Sequence, residues 1–89
     1  MTVYKYILPV EDYLTLQLPR GAKPFCVAEQ NGTACLWALV DPSAALVPHR
    51  FRVKGTGHPD VKASWSYVGT FFLLHGALVF HVFDLGEEA

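Results

Sequence analysis

Eighty-nine residues with a formal net charge of −1, about half of them apolar, describe a single folded domain. The near-neutral balance of seven Lys and Arg against eight Asp and Glu excludes a dedicated nucleic-acid coat and a polybasic membrane binder. A chain of this length buries only about 60–65% of its unfolded surface, so association with another chain would add stability.

The start, Met1-Thr2-Val3-Tyr4-Lys5, lacks the charged head and apolar run of a secretory signal. No apolar stretch reaches the ~18 residues that span a bilayer, since the best one is interrupted at His75, Gly76 and His81. A soluble cytoplasmic protein is the expectation. Tyr4, Tyr6 and Leu8 alternate with Val3, Lys5 and Ile7 as a first strand, turned by residues 9–12. In Tyr13–Leu18 the alternation sends Leu14, Leu16 and Leu18 inward. Residues 19–24 form a Pro- and Gly-containing link.

Asn31-Gly32, between residues 25–30 and 33–40, is a strong type I′ hairpin signal. A two-residue loop pairs Gln30 with Thr33, Ala28 with Cys35 and Cys26 with Trp37. The two cysteines are then diagonal neighbours at roughly 7–8 Å, long for a disulfide, whose Cα separation stays below ~7 Å. Both read as reduced core residues.

Asp41-Pro42-Ser43 initiates the next turn, and residues 44–48 have room for one short helical turn before Pro48. A strand over 48–54 follows, then a loop from Gly55 to about Ala63. The last hairpin joins residues 64–74 to 77–84 at His75-Gly76. It pairs Leu73 with Leu78, Phe71 with Phe80 and Gly69 with Val82 on one face. Phe72 with Val79, Thr70 with His81 and Val68 with Phe83 lie on the other. Both faces are largely apolar, whereas a surface hairpin keeps one polar face. Phe72, Val79, His81 and Phe83 are therefore expected to meet a second layer or another subunit, making the chain a homo-oligomer. The tail from Gly86 is expected to fray. Seven short strands point to an all-β fold, a small antiparallel β-sandwich or open barrel. The alternative is α+β, if residues 42–48 or 58–64 are helical.

The chemistry concentrates in one place. Arg50, Arg52 and Lys54 alternate with His49, Phe51 and Val53, so the three cations line one strand face and the others a core. Gly55-Thr56-Gly57-His58-Pro59 follows. Glycines let a ligand approach the backbone, and successive amides can form an anion-binding nest. Arginine forks match phosphate or carboxylate oxygens. Arg50, Arg52, Lys54, Gly55, Thr56, Gly57 and His58 are thus the candidate ligand site. The simpler reading is a charged edge strand that guards against edge-to-edge pairing.

No H-E-x-x-H or Cys-x-x-Cys occurs, so neither a metal nor another cofactor is expected. No G-x-S-x-G elbow is present, and the acids Glu11, Asp12, Glu29, Asp41 and Asp60 are scattered. An enzyme is not expected. The remaining catalytic possibility is Thr56 acting with His58.

The motifs 30–32 (Gln-Asn-Gly), 35–41 (Cys-Leu-Trp-Ala-Leu-Val-Asp), 55–59, 67–71 (Tyr-Val-Gly-Thr-Phe) and 76–83 together resemble a family of short uncharacterised proteins of tailed phages and bacterial prophages. The resemblance covers about Tyr6 to Phe83 and carries no functional residues with it. It implies a small accessory binding protein directed at a host factor, as an anti-defence inhibitor is. The alternatives are a sponge for a small phosphorylated nucleotide and a structural component of the phage particle.

Overall fold

The computed structural model describes residues 1–88. Seven strands form: β1 (Thr2–Ile7), β2 (Tyr13–Pro19), β3 (Lys23–Gln30), β4 (Thr33–Val40), β5 (Leu46–Gly55), β6 (Ser66–Leu73) and β7 (Leu78–Glu87). Pairing is antiparallel throughout, in a three-stranded sheet of order β1-β4-β3 and a four-stranded sheet of order β2-β5-β7-β6. The described residues contain no helix, because residues 42–48 run from a turn into β5 and residues 58–64 form bends and turns. The fold is all-β, a sandwich of two sheets and not a closed barrel.

Alternation builds the core. Val27, Leu36, Ala38 and Val40 from the smaller sheet meet Leu14, Leu18, Phe51, Val53, Phe71 and Val82 from the larger. The sheets approach most closely where β3 passes β6. There a Cβ on Gly69 would sit 2.9 Å from Val27 Cγ2, so the corner closes only because residue 69 has no side chain.

The Asn31-Gly32 hairpin has the expected register, with Gln30 opposite Thr33, Ala28 opposite Cys35 and Cys26 opposite Trp37. Asn31 (φ 52°) and Gly32 (φ 82°) are both left-handed, as a type I′ turn requires. Cys26 and Cys35 are free thiols.

The last hairpin also pairs as expected from Leu73–Leu78 to Gly69–Val82. It departs at Val68, which bulges toward the core, so that Tyr67 and not Val68 lies opposite Phe83. The chain end departs too. β7 continues to Glu87, whose carboxylate accepts the Gly21 amide at 2.6 Å, and the Glu88 amide donates to the Pro48 carbonyl at 2.9 Å. These long-range bonds hold a segment that its composition alone would leave frayed. Among the described residues no helix is long and apolar enough to cross a membrane.

Candidate functional site

β5 is flanked by β2 and β7, so the charged-edge reading of its cations does not hold. Arg50, Arg52 and Lys54 stand instead on the outer face of an interior strand, while His49, Phe51 and Val53 are buried on the other side. The register fixes their neighbours. Tyr13 and Thr15 of β2 lie opposite Arg52 and Arg50, and Phe83 and His81 of β7 lie opposite Arg52 and Lys54.

The three cations differ in freedom. The Arg52 guanidinium lies 3.5 Å from the centroid of the Tyr13 ring and 5.1 Å from that of Trp65. Its Nε donates to the Asp12 carbonyl at 3.0 Å. Arg52 is thus built into the surface as a clamp between two aromatic rings. Arg50 is exposed, and among the described residues neither it nor Lys54 forms an ion pair. Beside Arg50 lies a depression of about 320 Å³ bordered by Glu11, Tyr13, Thr15 and Leu85.

The glycine segment closes on itself. The Gly55 amide donates to His58 Nδ1 at 3.3 Å, and the His58 amide donates to the Gly55 carbonyl at 3.1 Å. Two amides that an anion nest would use are therefore engaged within the loop. A Cβ on residue 55 would meet His58 Cε1 at 2.8 Å, so the ring's position depends on this glycine. Gly57 (φ 84°) makes the turn between them.

Thr56 turns away from His58 and toward β7. Its hydroxyl lies 2.7 Å from His81 Nε2, while His81 Nδ1 lies 2.8 Å from the Thr70 hydroxyl. The Tyr67 hydroxyl completes the chain, 2.6 Å from Thr70 Oγ1. This network straps the 56–65 loop onto the sheet. Trp65, at the end of the loop, packs on Phe83 with ring centroids 5.8 Å apart, and the Tyr67 ring meets Phe83 edge-on at 5.9 Å.

The strapped loop explains much of the doubly apolar hairpin. His81 and Phe83 are partly covered by the chain's own Thr56 and Trp65, and Val79 is half-buried. Phe72, farther along β6, remains 54% exposed. Because β5 and β7 are neighbours, these four residues share one continuous face with Arg50, Arg52 and Lys54. Tyr13, Trp65 and Tyr67 belong to the same face, and strand alternation already turned Tyr13 outward, opposite to Leu14. What the sequence lacked was the strand order that places Tyr13 beside Arg52.

A second feature lies under the face. His49 is 3% exposed, and its Nε2 is 2.6 Å from Asp84 Oδ1, which also accepts the Gly86 amide at 2.7 Å. His49 Nδ1 has no partner among the described residues. The pair anchors β5 to β7 where the register shifts between Arg50 and Phe51. Elsewhere, Asp41 accepts both the hydroxyl and the amide of Ser43, which hold its carboxyl below the usual range. Among the described residues no three His, Cys, Asp or Glu side chains converge as a metal site.

No curated protein and no solved structure matches the chain. A family model described as a domain of unknown function, DUF7352, matches residues 1–89, and the chain belongs to that family.

Proposed function

We propose that this chain is a non-catalytic binding protein that uses the outer face of its four-stranded sheet to hold an acidic surface of a partner protein. The observation that carries this reading is the juxtaposition of free cations with exposed aromatic rings. Arg50 and Lys54 stand beside Tyr13 and Tyr67, which are 69% and 62% exposed, around the clamped Arg52. Tyr, Trp and Arg are the residues that dominate binding energy at protein interfaces, where large rings lose little entropy on contact. The cations supply charge complementarity and speed encounter. Phe72 and Val79 extend the same contact at its apolar end. The phage-family resemblance makes a bacterial host factor the partner to test first.

A nucleotide sponge fits the face less well. Small-molecule sites enclose some 70–90% of the ligand, whereas this is an open sheet surface whose glycine loop has engaged two of its amides internally. A particle component remains the structural alternative, and its mark is co-purification with phage particles.

The test is affinity capture from host lysate with wild type and with an Arg50→Ala/Lys54→Ala variant, followed by mass spectrometry of bound proteins and released small molecules. Arg52 is left in place because it is part of the surface's own framework. A protein held by wild type and lost from the variant supports the reading, with affinity weakened by more than about tenfold for two charged contacts. Equal capture by a variant of unchanged fold refutes it. A released nucleotide with no retained protein favours the sponge.

A further inference from the structure

The three-stranded sheet, which does not carry Arg50, Arg52 and Lys54, has an open edge at β1. β1 pairs with β4 on one side only. The Leu8 amide donates to the Ala34 carbonyl at 3.0 Å, which sets the phase of that ladder. Residues 2, 4, 6 and 8 direct their amides and carbonyls toward β4, so those of Val3, Lys5 and Ile7 face outward.

This edge lacks the usual protections. Thr-Val-Tyr-Lys-Tyr-Ile contains no proline or glycine, its register with β4 has no bulge, and five of its six residues are β-branched or aromatic. Its one charge, Lys5, is drawn away from the edge. Its Nζ donates to Gln30 at 2.9 Å, on the far strand β3, so its stem crosses the outer side of β4 above the buried Cys35. Val3 and Ile7, 52% and 59% exposed, stand beside it, and Tyr4 is 42% exposed.

We propose that β1 is a self-pairing edge, joining two copies of this chain through antiparallel β1–β1 pairing about a two-fold axis into one six-stranded sheet. The second copy is the occupant because one register satisfies both edges. With the axis at Lys5, Met1 faces the partner's Pro9, which has no amide to donate, leaving three complete residue pairs where the axis at Tyr4 gives four. With the axis at Tyr6, Val3 faces the partner's Pro9, which has no amide to donate. With the axis at Tyr4, Val3 pairs with the partner's Lys5 and Ile7 with the partner's Met1. Tyr4 then faces the partner's Tyr4 in a non-hydrogen-bonded pair, an aromatic contact across the axis. All three outward-facing residues find donors and acceptors, and no like charges meet.

The experiment is sedimentation of the full chain over a concentration series, with two variants. Val3→Pro removes only an outward amide, so the fold persists and self-association weakens by more than about tenfold, two hydrogen bonds being lost across the axis. Tyr4→Cys, made with Cys26→Ser, brings two thiols to the axis at a Cα separation of about 4.5 Å, within disulfide reach. It oxidises rapidly to a covalent dimer. Tyr6→Cys in the same background does not, because its two copies lie roughly 13 Å apart along the strands. A wild-type chain that stays monomeric at every concentration overturns the proposal. So does a dimer that Val3→Pro leaves intact, or a Tyr6→Cys variant that cross-links as fast as Tyr4→Cys.

Discussion

Gly69→Ala tests how tightly the sandwich corner is closed. The added methyl would lie 2.9 Å from Val27 Cγ2 and 3.5 Å from the Val27 amide nitrogen. Carbon atoms prefer about 3.5–4.0 Å, so the first contact is too short by roughly 0.6 Å or more. Val27 has little room to yield. It is 6% exposed, sits opposite Leu36 in an unbroken stretch of ladder, and is β-branched, which stiffens its side chain. Overpacking of this kind costs about 1–3 kcal/mol. Alanine restores about 0.4–1 kcal/mol by restricting the unfolded chain, since residue 69 does not need a positive φ. The net expectation is destabilisation of about 1–2 kcal/mol, a fall in Tm of several degrees for a domain of this size. Urea unfolding followed by the fluorescence of Trp37 and Trp65 measures it. The cause is isolated by a double-mutant cycle with Val27→Ala, which removes the clashing Cγ2. The new methyl then occupies vacated space, and the double variant is about as stable as Val27→Ala alone. A neutral Gly69→Ala, or strictly additive losses, would refute the corner argument.

Asp84→Ala leaves the buried His49 without a partner at either ring nitrogen and strips the Gly86 amide of its acceptor. It should cost about 1–3 kcal/mol in urea unfolding, and Asp84→Asn less, because the amide oxygen can still accept. Arg52→Ala frees Tyr13 and Trp65, with a loss of about 1 kcal/mol and a shift in Trp65 emission; Arg52→Lys recovers part of the first effect. Tyr6 has its phenol raised above the ordinary 10.0, first by burial and then by the neighbouring Tyr4. The folded state therefore holds that proton more tightly than the unfolded chain. The resulting stability is complete below pH 10.0 and lost as pH rises from there through the folded-state value. Tyr6→Phe should flatten this alkaline limb in unfolding curves collected across pH.

Local chemistry made much of the fold legible. Asn31-Gly32 determined a turn type and with it the register of β3 and β4, because only residues that accept positive φ close a two-residue hairpin. Alternation assigned Leu14, Phe51 and Val53 to the core and the cations to the outside. Long-range order was not legible. That β5 is interior depends on its pairing with both β2 and β7, and pairing partners leave no mark in a single strand. The Val68 bulge was hidden because the apolar pattern around it reads equally well in either register. The His49–Asp84 contact links residues 35 positions apart, and no spacing rule covers that distance. Thr56 was linked to the nearest histidine in sequence, His58, but the loop's fold-back delivers it to His81.

The proposed binding face and the proposed pairing edge lie in different sheets, so one can be occupied without covering the other. A contact made through β1 extends the three-stranded sheet and leaves Arg50, Lys54 and Tyr67 uncovered on the other. A dimer would therefore display two copies of the cationic, aromatic face. If its partner is repetitive or multimeric, the second attachment becomes intramolecular and avidity rises without any new contact. A single-site partner gains nothing from the pairing. Val3→Pro distinguishes these cases, because it leaves the face of each monomer unaltered. Binding to an immobilised multivalent partner should then weaken in the variant while affinity for one isolated site stays constant. A fall in both would mean that the face is completed only across the dimer, and that the two surfaces are not independent.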